Sequence, residues 1–390
     1  MTDATRPARV FLDAGGRAPV LPAAREAFLQ ALDEGWADPR RLHSEGRRAR
    51  LLLDGAREAI AAAVGARAEE VDLHGSHTLA LHAGVRAVAR GRRRAGRDLV
   101  VSAVERAAVL EAAAFSAAQP WGGDRGRRVD VPVDRLGRVD LDAWAAAVGA
   151  PGVSVAALQH ANGEVGSTQP VEAAHELARR AGVPLLVDAG ASLGHLPVGD
   201  SWDALAADPA DWGALGGVGV LVTRAGVRRA PDWPEDEDRW SPGGVSVPAA
   251  LAAAVALQDA LRTAPADGAR RRDLVRRVRE RVAAEAPDVE VVGDPEGRLP
   301  HVVTFSCLYV DGEALVGELD RLGFAVGSGS ACTSSALEPS HVLAAMGVLT
   351  HGNVRLALPR DVRAEDVERF CDLLPGAVEK VRESLGVQGL

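Results

Sequence analysis

From about residue 50 to residue 225, short apolar runs alternate with longer stretches in which apolar residues recur at helical spacing. The clearest runs are Leu99–Ala103, Val153–Gln159, Pro184–Asp188 and Val218–Thr223. Each is rich in Val, Leu or Ala and bounded by turn residues, and it lacks the alternate polar positions of a half-exposed strand, so it reads as a buried strand. Helical spacing predicts helices over Ala56–Val64, Ala107–Ala117, Leu141–Val148 and Val171–Ala181. Strand and helix in regular order predict an α/β fold, a parallel sheet with both faces covered.

A second region follows Pro231–Pro242, whose proline, acidic and tryptophan residues read as an exposed loop. It opens with a helix over Pro248–Arg262 and an arginine-rich helix over Ala269–Glu285. Strands near Val289–Val292 and Val302–Leu308, a helix over Gly312–Leu322 and a closing helix over Ala364–Leu385 complete a smaller α+β unit. The large domain is expected over 15–250, and the small domain over 1–14 and 251–390. The stretch from Gly122 to Asp140 reads as a loop and hairpin.

The 390 residues carry a formal charge of −9 at a pI near 5.6, which argues against nucleic acid as the main partner. The arginines of Ala269–Glu285 are interleaved with acids and read as a solvated face. No run approaches a membrane span and the first residues lack a signal-peptide core, so a cytoplasmic protein is expected. Cys307, Cys332 and Cys371 are too few and too scattered for a disulfide framework or a zinc cluster. His74 and His77 form at most a weak metal pair. Lysine occurs once, at Lys380; every other basic residue is arginine. A guanidinium does not form Schiff bases, so chemistry that needs a nucleophilic amine has only Lys380 to draw on. That residue reads as a solvated position on the last helix.

The most informative segment is GSGSACTSSALEP, Gly327–Pro339, followed by HVLAAMGV and HGNVRLALPR. A thiol in a Gly/Ser-rich loop can be reached by solvent and moved, as a sulfur carrier requires. The segment resembles the persulfide-forming loop of bacterial cysteine desulfurases with the longer loop, and Cys332 falls on their catalytic cysteine. Arg355 falls on their substrate-carboxylate arginine, a task suited to a bidentate guanidinium. The resemblance extends through FLDAGGRAP (Phe11–Pro19), ADPRRLHSEGRRAR (Ala37–Arg50), AVERAAVLE (Ala103–Glu111), QHANGEVGSTQP (Gln159–Pro170) and LLVDAGASLGH (Leu185–His195). It implies the fold type I architecture of pyridoxal-phosphate (PLP) enzymes: a large domain with a mixed, mostly parallel sheet between helices, a small α+β domain, and active sites at a dimer interface.

Asn162 and Asp188 match the family's cofactor-contacting asparagine and aspartate. Asp188 reads equally as a partner for a pyridinium nitrogen and as a strand-end carboxylate capping the next turn. Other cofactor positions depart from the pattern. Arg106 stands at the ring-stacking histidine, Ala191 at the supporting glutamine, and Gly16, Arg17 and Ala18 at the Ala-Thr-Thr of the opening turn. HGSHT (His74–Thr78) stands at the phosphate loop, and Val245, beside Ser246, at the threonine sent across the dimer. Aligning ALGGVGVLV (Ala214–Val222) places Asp208, Ala210 and Asp211 at the serine, histidine and lysine of Ser-x-His-Lys.

These departures predict that no cofactor is taken, with no covalent PLP and only weak non-covalent PLP left open, and that desulfurase activity is lost. The expected role is a persulfide relay through Cys332, or a partner subunit in a heterodimer with an active paralogue; a homodimer and a sulfur-acceptor protein are also expected. The alternatives are a PLP-free scaffold or regulator, an enzyme with a repurposed pocket of Asp211, Arg106, Asp188 and Asn162, and a conventional cysteine desulfurase. Cys307 and Cys371 read as core residues.

Overall fold

The computed structural model describes residues 9–121, 125–231, 233, 238–328, 339–384 and 386. A short strand, β1 (Val10–Phe11), precedes helices α1 (Pro22–Glu34) and α2 (Ser44–Ala63). Strands and helices then alternate: β2 (Val71–His74), α3 (His77–Arg92), β3 (Asp98–Ser102), α4 (Ala107–Ala118), β4 (Arg128–Val131), α5 (Leu141–Gly149), β5 (Val153–Gln159), α6 (Val171–Arg180) and β6 (Leu185–Asp188). Strands β7 (Ala204–Ala207) and β8 (Gly219–Thr223) complete a seven-stranded sheet in the order β2-β8-β7-β6-β5-β3-β4. Strands β7, β6, β5, β3 and β4 run parallel, while β8 is antiparallel to both its neighbours. This is the mixed, mostly parallel sheet with covering helices expected of the α/β class. All seven residues of β5 are buried, as an apolar run covered on both faces requires.

The chain continues through α7 (Val247–Glu285), β9 (Val289–Val292), β10 (Val302–Cys307), α8 (Gly312–Arg321), β11 (Phe324–Ala325), α9 (His341–Met346), β12 (Asn353–Ala357) and α10 (Ala364–Ser384). A three-stranded antiparallel sheet, β12-β10-β9, is covered by α7, α8 and α10, and β1 pairs in parallel with β11. Cys307 and Cys371 lie in the core on this sheet.

Several elements differ from their sequence expectation. The two helices expected on either side of residue 265 are one helix of 39 residues, with Pro265 inside it. Its first half is buried on α1 and α2 beside the large sheet, and Leu274, Val275, Val278 and Val282 enter the core of the small one. Packing at both ends carries the helix through a residue that lacks an N–H. Helix α2 starts well before Ala56: the His43 ring accepts the Gly46 N–H, and Ala49, Leu53, Ala56 and Ile60 form one buried stripe. Within the expected loop and hairpin, Arg128–Val131 is instead an edge strand parallel to β3, and only the Val133–Val139 bridge that follows is hairpin-like. Lys380 is exposed on α10 and ion-paired with Glu318 at 2.9 Å.

Candidate active site

The candidate site lies where the parallel strands end, the edge at which open α/β sheets gather ligands. Asp188 is the last residue of β6 and is 3% exposed. Its Oδ1 accepts the Gly190 N–H at 2.8 Å and lies 3.0 Å from His77 Nε2, and its Oδ2 accepts Arg106 Nε–H at 3.1 Å. It therefore caps the turn and also faces a histidine and an arginine. Burial alone would raise its pKa, but His77 and Arg106 hold the carboxyl well below the usual range. Burial likewise works against the charge on Arg106, and Asp188, Asp208 and Asp211 outweigh it.

His77 reaches Asp188 because Ser76 caps α3 by accepting the Leu79 N–H, which sets the first helical residue at the strand ends. Its Nδ1 stands 4.0 Å from Asp208. Gly190 makes room for the ring, since a Cβ there would lie 2.2 Å from His77 Cε1.

Asn162 follows β5. Its Oδ1 accepts the N–H groups of Glu164 and Val165 at 2.8 and 2.9 Å, and its Nδ2 donates to the Val104 carbonyl at 3.1 Å. The amide thus organises the loop that carries Glu164. Glu105, fully buried, accepts the Gln159 N–H on Oε1 at 2.7 Å, while Oε2 has no partner among the described residues. Burial, with Asp188 nearby, pushes its pKa up to about 8 against the Gln159 hydrogen bond.

Asp211, at the position matched to the family lysine, is 1% exposed. Its Oδ1 accepts the Gly16 N–H at 2.7 Å, and its Oδ2 lies 3.0 Å from His195 Nε2. His195 Nδ1 is 3.2 Å from Arg271 Nη2, and the His195 and His301 rings are 4.1 Å apart. The carboxylate thereby ties the opening turn to a buried polar layer.

Arg355, on β12, donates from Nη2 to Asp13 Oδ1 at 2.8 Å, and its buried Nε has no partner among the described residues. Two glycines frame the pair. A Cβ on Gly15 would stand 3.6 Å from the guanidinium carbon, and one on Gly327 would stand 2.8 Å from Asp13 Oδ1 and 3.0 Å from Arg355 Nη2. Cys332 lies outside the described residues, but both flanks of its loop are at the site. Gly327 exchanges backbone hydrogen bonds with Arg355 at 3.0 and 2.8 Å, and His341 Nε2 donates to the Glu105 carbonyl at 2.9 Å.

The structure thus gathers Asp188 and Arg106 at one point, Arg355 at the base of the cysteine loop, and Asp211 in a buried layer with His195 from which its charge still reaches Arg106. Sequence reasoning passed over His77 in this role, along with Asp13, Glu105 and His195. Their partners stand 111, 342, 54 and 16 residues away, and no local spacing signals such pairs.

The sequence model of the aminotransferase class-V family matches residues 10–370. A cysteine desulfurase of Cereibacter sphaeroides is 34% identical over 384 residues, 96% of this chain and 97% of that protein. Cysteine desulfurase IscS of Dictyoglomus turgidum is 31% identical over 385 residues, 96% of this chain and 95% of its own. Among solved structures, a NifS-like protein superposes with a TM-score of 0.84 at 23% identity, covering 97% of this chain and 99% of that one. The apo structure of a cysteine desulfurase from Thermococcus onnurineus NA1 gives 0.81 at 21% identity, with 95% of each chain covered. The chain belongs to the class-V aminotransferase family, among its cysteine desulfurase-like members.

That membership corrects the expectation that no cofactor is taken: the family points to PLP. The missing lysine bears on covalent attachment and on proton transfer at the substrate carbon. Asp188, kept anionic at its strand end beside Arg106, has the chemistry that a pyridine nitrogen needs in a partner. Lysine, the side chain for such attachment, is absent from the first 379 residues.

Proposed function

We propose that this class-V aminotransferase-family protein works in sulfur transfer after the manner of the cysteine desulfurases, with Arg355 binding the carboxylate of a cysteine-like amino acid and Cys332 carrying sulfur. The observation that carries this reading is the state of Arg355. One edge of its guanidinium is fixed by Asp13, its Nε is buried without a partner among the described residues, and glycines stand at the two places where a side chain would cover it. A buried unpaired donor is costly, and a ligand carboxylate satisfies it with a charge-assisted hydrogen bond. Asp13 orients the fork and Gly15 admits the ligand.

Asp188, with Arg106 and His77 around it, would hold the ring of PLP, which when bound supplies an electron sink for carbanion chemistry. The Gly327 and His341 anchors bring both flanks of the Cys332 loop to the same place, which favours sulfur collection there.

Two readings of the activity share this site. The relatives named cysteine desulfurase, matched over nearly the whole chain, support conventional desulfuration of L-cysteine. The absence of lysine before residue 380 supports a persulfide relay, alone as a homodimer or beside an active paralogue. The deciding experiment supplies the purified protein with PLP, L-cysteine and a reductant, measures alanine and sulfide, and separately offers sulfur from a persulfide-loaded desulfurase. Alanine formed at enzymatic rates establishes the first reading. Sulfur on Cys332 only from the external donor, and lost in Cys332→Ser, establishes the second. If neither wild-type reaction differs from Cys332→Ser, both readings fail.

A further inference from the structure

The opposite edge of the large sheet, where β3, β4 and β5 begin, carries an open groove of about 730 Å³. Arg93, Arg94 and Arg97 of the α3–β3 turn form one wall, and Arg125, before β4, stands with Trp121 on the other. Asp98 is the one carboxylate in this lining among the described residues, and Arg127 engages it at 3.0 Å. Arg94 and Arg125 are exposed with no carboxylate partner among the described residues, and Arg93 donates to a carbonyl of its own turn. The groove is therefore a concentration of positive charge on a chain whose formal charge is −9.

Its floor is fixed. Arg97 and Asp98 both donate their N–H groups to the Gly152 carbonyl, at 2.7 and 2.9 Å. Gly96 packs so closely on Gly152 that a Cβ would lie 2.1 Å from that oxygen, and Gly126 packs as closely on the Arg97 carbonyl. Three turns are thus locked backbone to backbone, and the arginines project from a rigid base, which lowers the cost of ordering them around a ligand.

We propose that this groove is a binding site for a compact polyphosphate anion, a nucleoside triphosphate or a free condensed phosphate. Guanidinium forks match phosphate oxygens bidentately, and several on two walls suit an anion with charges on successive groups. The volume lies in the small-ligand range. A compact anion stays inside the local positive field, whereas a long polyanion would run out over a net acidic surface and be repelled. Trp121 lines the groove half-buried against the core, and a base stacked on its exposed part would separate the two sources: a nucleotide then binds more tightly than inorganic triphosphate, and without that stacking the two bind alike. The site lies one strand length from Asp188, about 20 Å for the seven residues of β5, so it is distinct from the sulfur-transfer site.

Calorimetric titration of the full chain with inorganic triphosphate and with ATP, at low and at physiological salt, tests the proposal. Saturable 1:1 binding that weakens with salt is expected. Arg94→Ser/Arg125→Ser should weaken it at least tenfold, while the charge-matched Arg272→Ser/Arg276→Ser on α7 leaves it within twofold. Arg355→Ala should also leave it unchanged; loss there would place the phosphate in the sulfur-transfer site and overturn the proposal. The absence of saturable binding overturns it too. So does equal affinity for an acidic decapeptide, or binding of a single-stranded RNA a hundredfold tighter than of ATP, since each would make the groove a macromolecular surface.

Discussion

Arg271 Nη2 stands 3.2 Å from Nδ1 of His195, and because a guanidinium only donates, His195 must accept at Nδ1 and carry its proton on Nε2, facing Asp211. The same inference assigns a job to three buried groups that otherwise resemble a metal site. His195, Asp211 and His301 offer ligand atoms within 4.8 Å of one another. A metal-bound imidazole needs a free lone pair on one nitrogen and an acceptor beside the other; here the nitrogen facing Asp211 bears hydrogen and the other faces a donor. Burial lowers the pKa of both histidines, and Arg271 and Arg360 add to the lowering.

Cobalt(II) added to the protein is accordingly expected to give no intense tetrahedral absorption band, and zinc no rise in Tm. A stabilisation of several degrees at stoichiometric zinc would contradict the hydrogen-bond assignment at His195.

Glu105 makes stability fall as pH rises. Its folded pKa is about 8, above the roughly 4.3 of an unfolded glutamate. Between these values the native chain holds a proton that the unfolded chain has lost, so each step up in pH favours unfolding until the native carboxyl also ionises. Glu105→Gln removes that slope. At pH 8.5 the variant should be more stable than wild type by about 2–4 kcal/mol, with the gain vanishing near pH 4. Urea titrations at pH 5, 7 and 8.5 check this, and parallel pH profiles for the two proteins would refute it.

Asp188 acts with the opposite sign. Its folded pKa is depressed, so its stabilisation is complete above the unfolded value near 4 and is lost as pH falls through the folded one. Asp188→Asn leaves Arg106 and His77 without their anion and should cost about 3–5 kcal/mol at pH 7. The gap should narrow in acid, as the unfolded carboxyl takes up a proton that the native one resists. A difference constant from pH 7 to pH 2 would show that packing, not charge, sets the cost.

Two of the three thiols should be silent. Burial pushes Cys307 up to about 12 and Cys371 up to about 11, and both are closed to solvent. Only a thiolate attacks an alkylating agent at a useful rate. Native protein treated with iodoacetamide at pH 7.5 is expected to gain one carbamidomethyl group, on Cys332, and Cys332→Ser none, by intact-mass measurement. Three groups on the native wild-type chain would mean that the small-sheet core opens readily.

How far the sequence could be read depended on the range of the interaction. Val153–Gln159 and Val289–Val292 were delimited correctly because burial on both faces, or a turn at each end, leaves a mark in consecutive residues. Val71–His74 and Ala204–Ala207 were missed, since four residues of mixed or alanine-rich character acquire strand geometry only from their neighbours. The break expected at Pro265 followed from local chemistry that packing overrides. At the candidate site, motif resemblance pointed to Arg355 and Asp188. It did not point to what surrounds them: Asp13 and His77 owe their places to strand pairing and a helix cap far along the chain.

Helix α7 also has a mechanical consequence. One beam of 39 residues is built into both sheet cores, so the small sheet cannot swing away from the large one as a body on a flexible tether. Relative movement must bend the beam, and its compliant point is Pro265, where the ring removes the hydrogen bond to the Leu261 carbonyl. Arg355 rides on the small sheet and Asp188 ends a strand of the large one. That notch is one place where movement of Arg355 relative to Asp188 can be taken up, and replacing Pro265 with alanine would stiffen it.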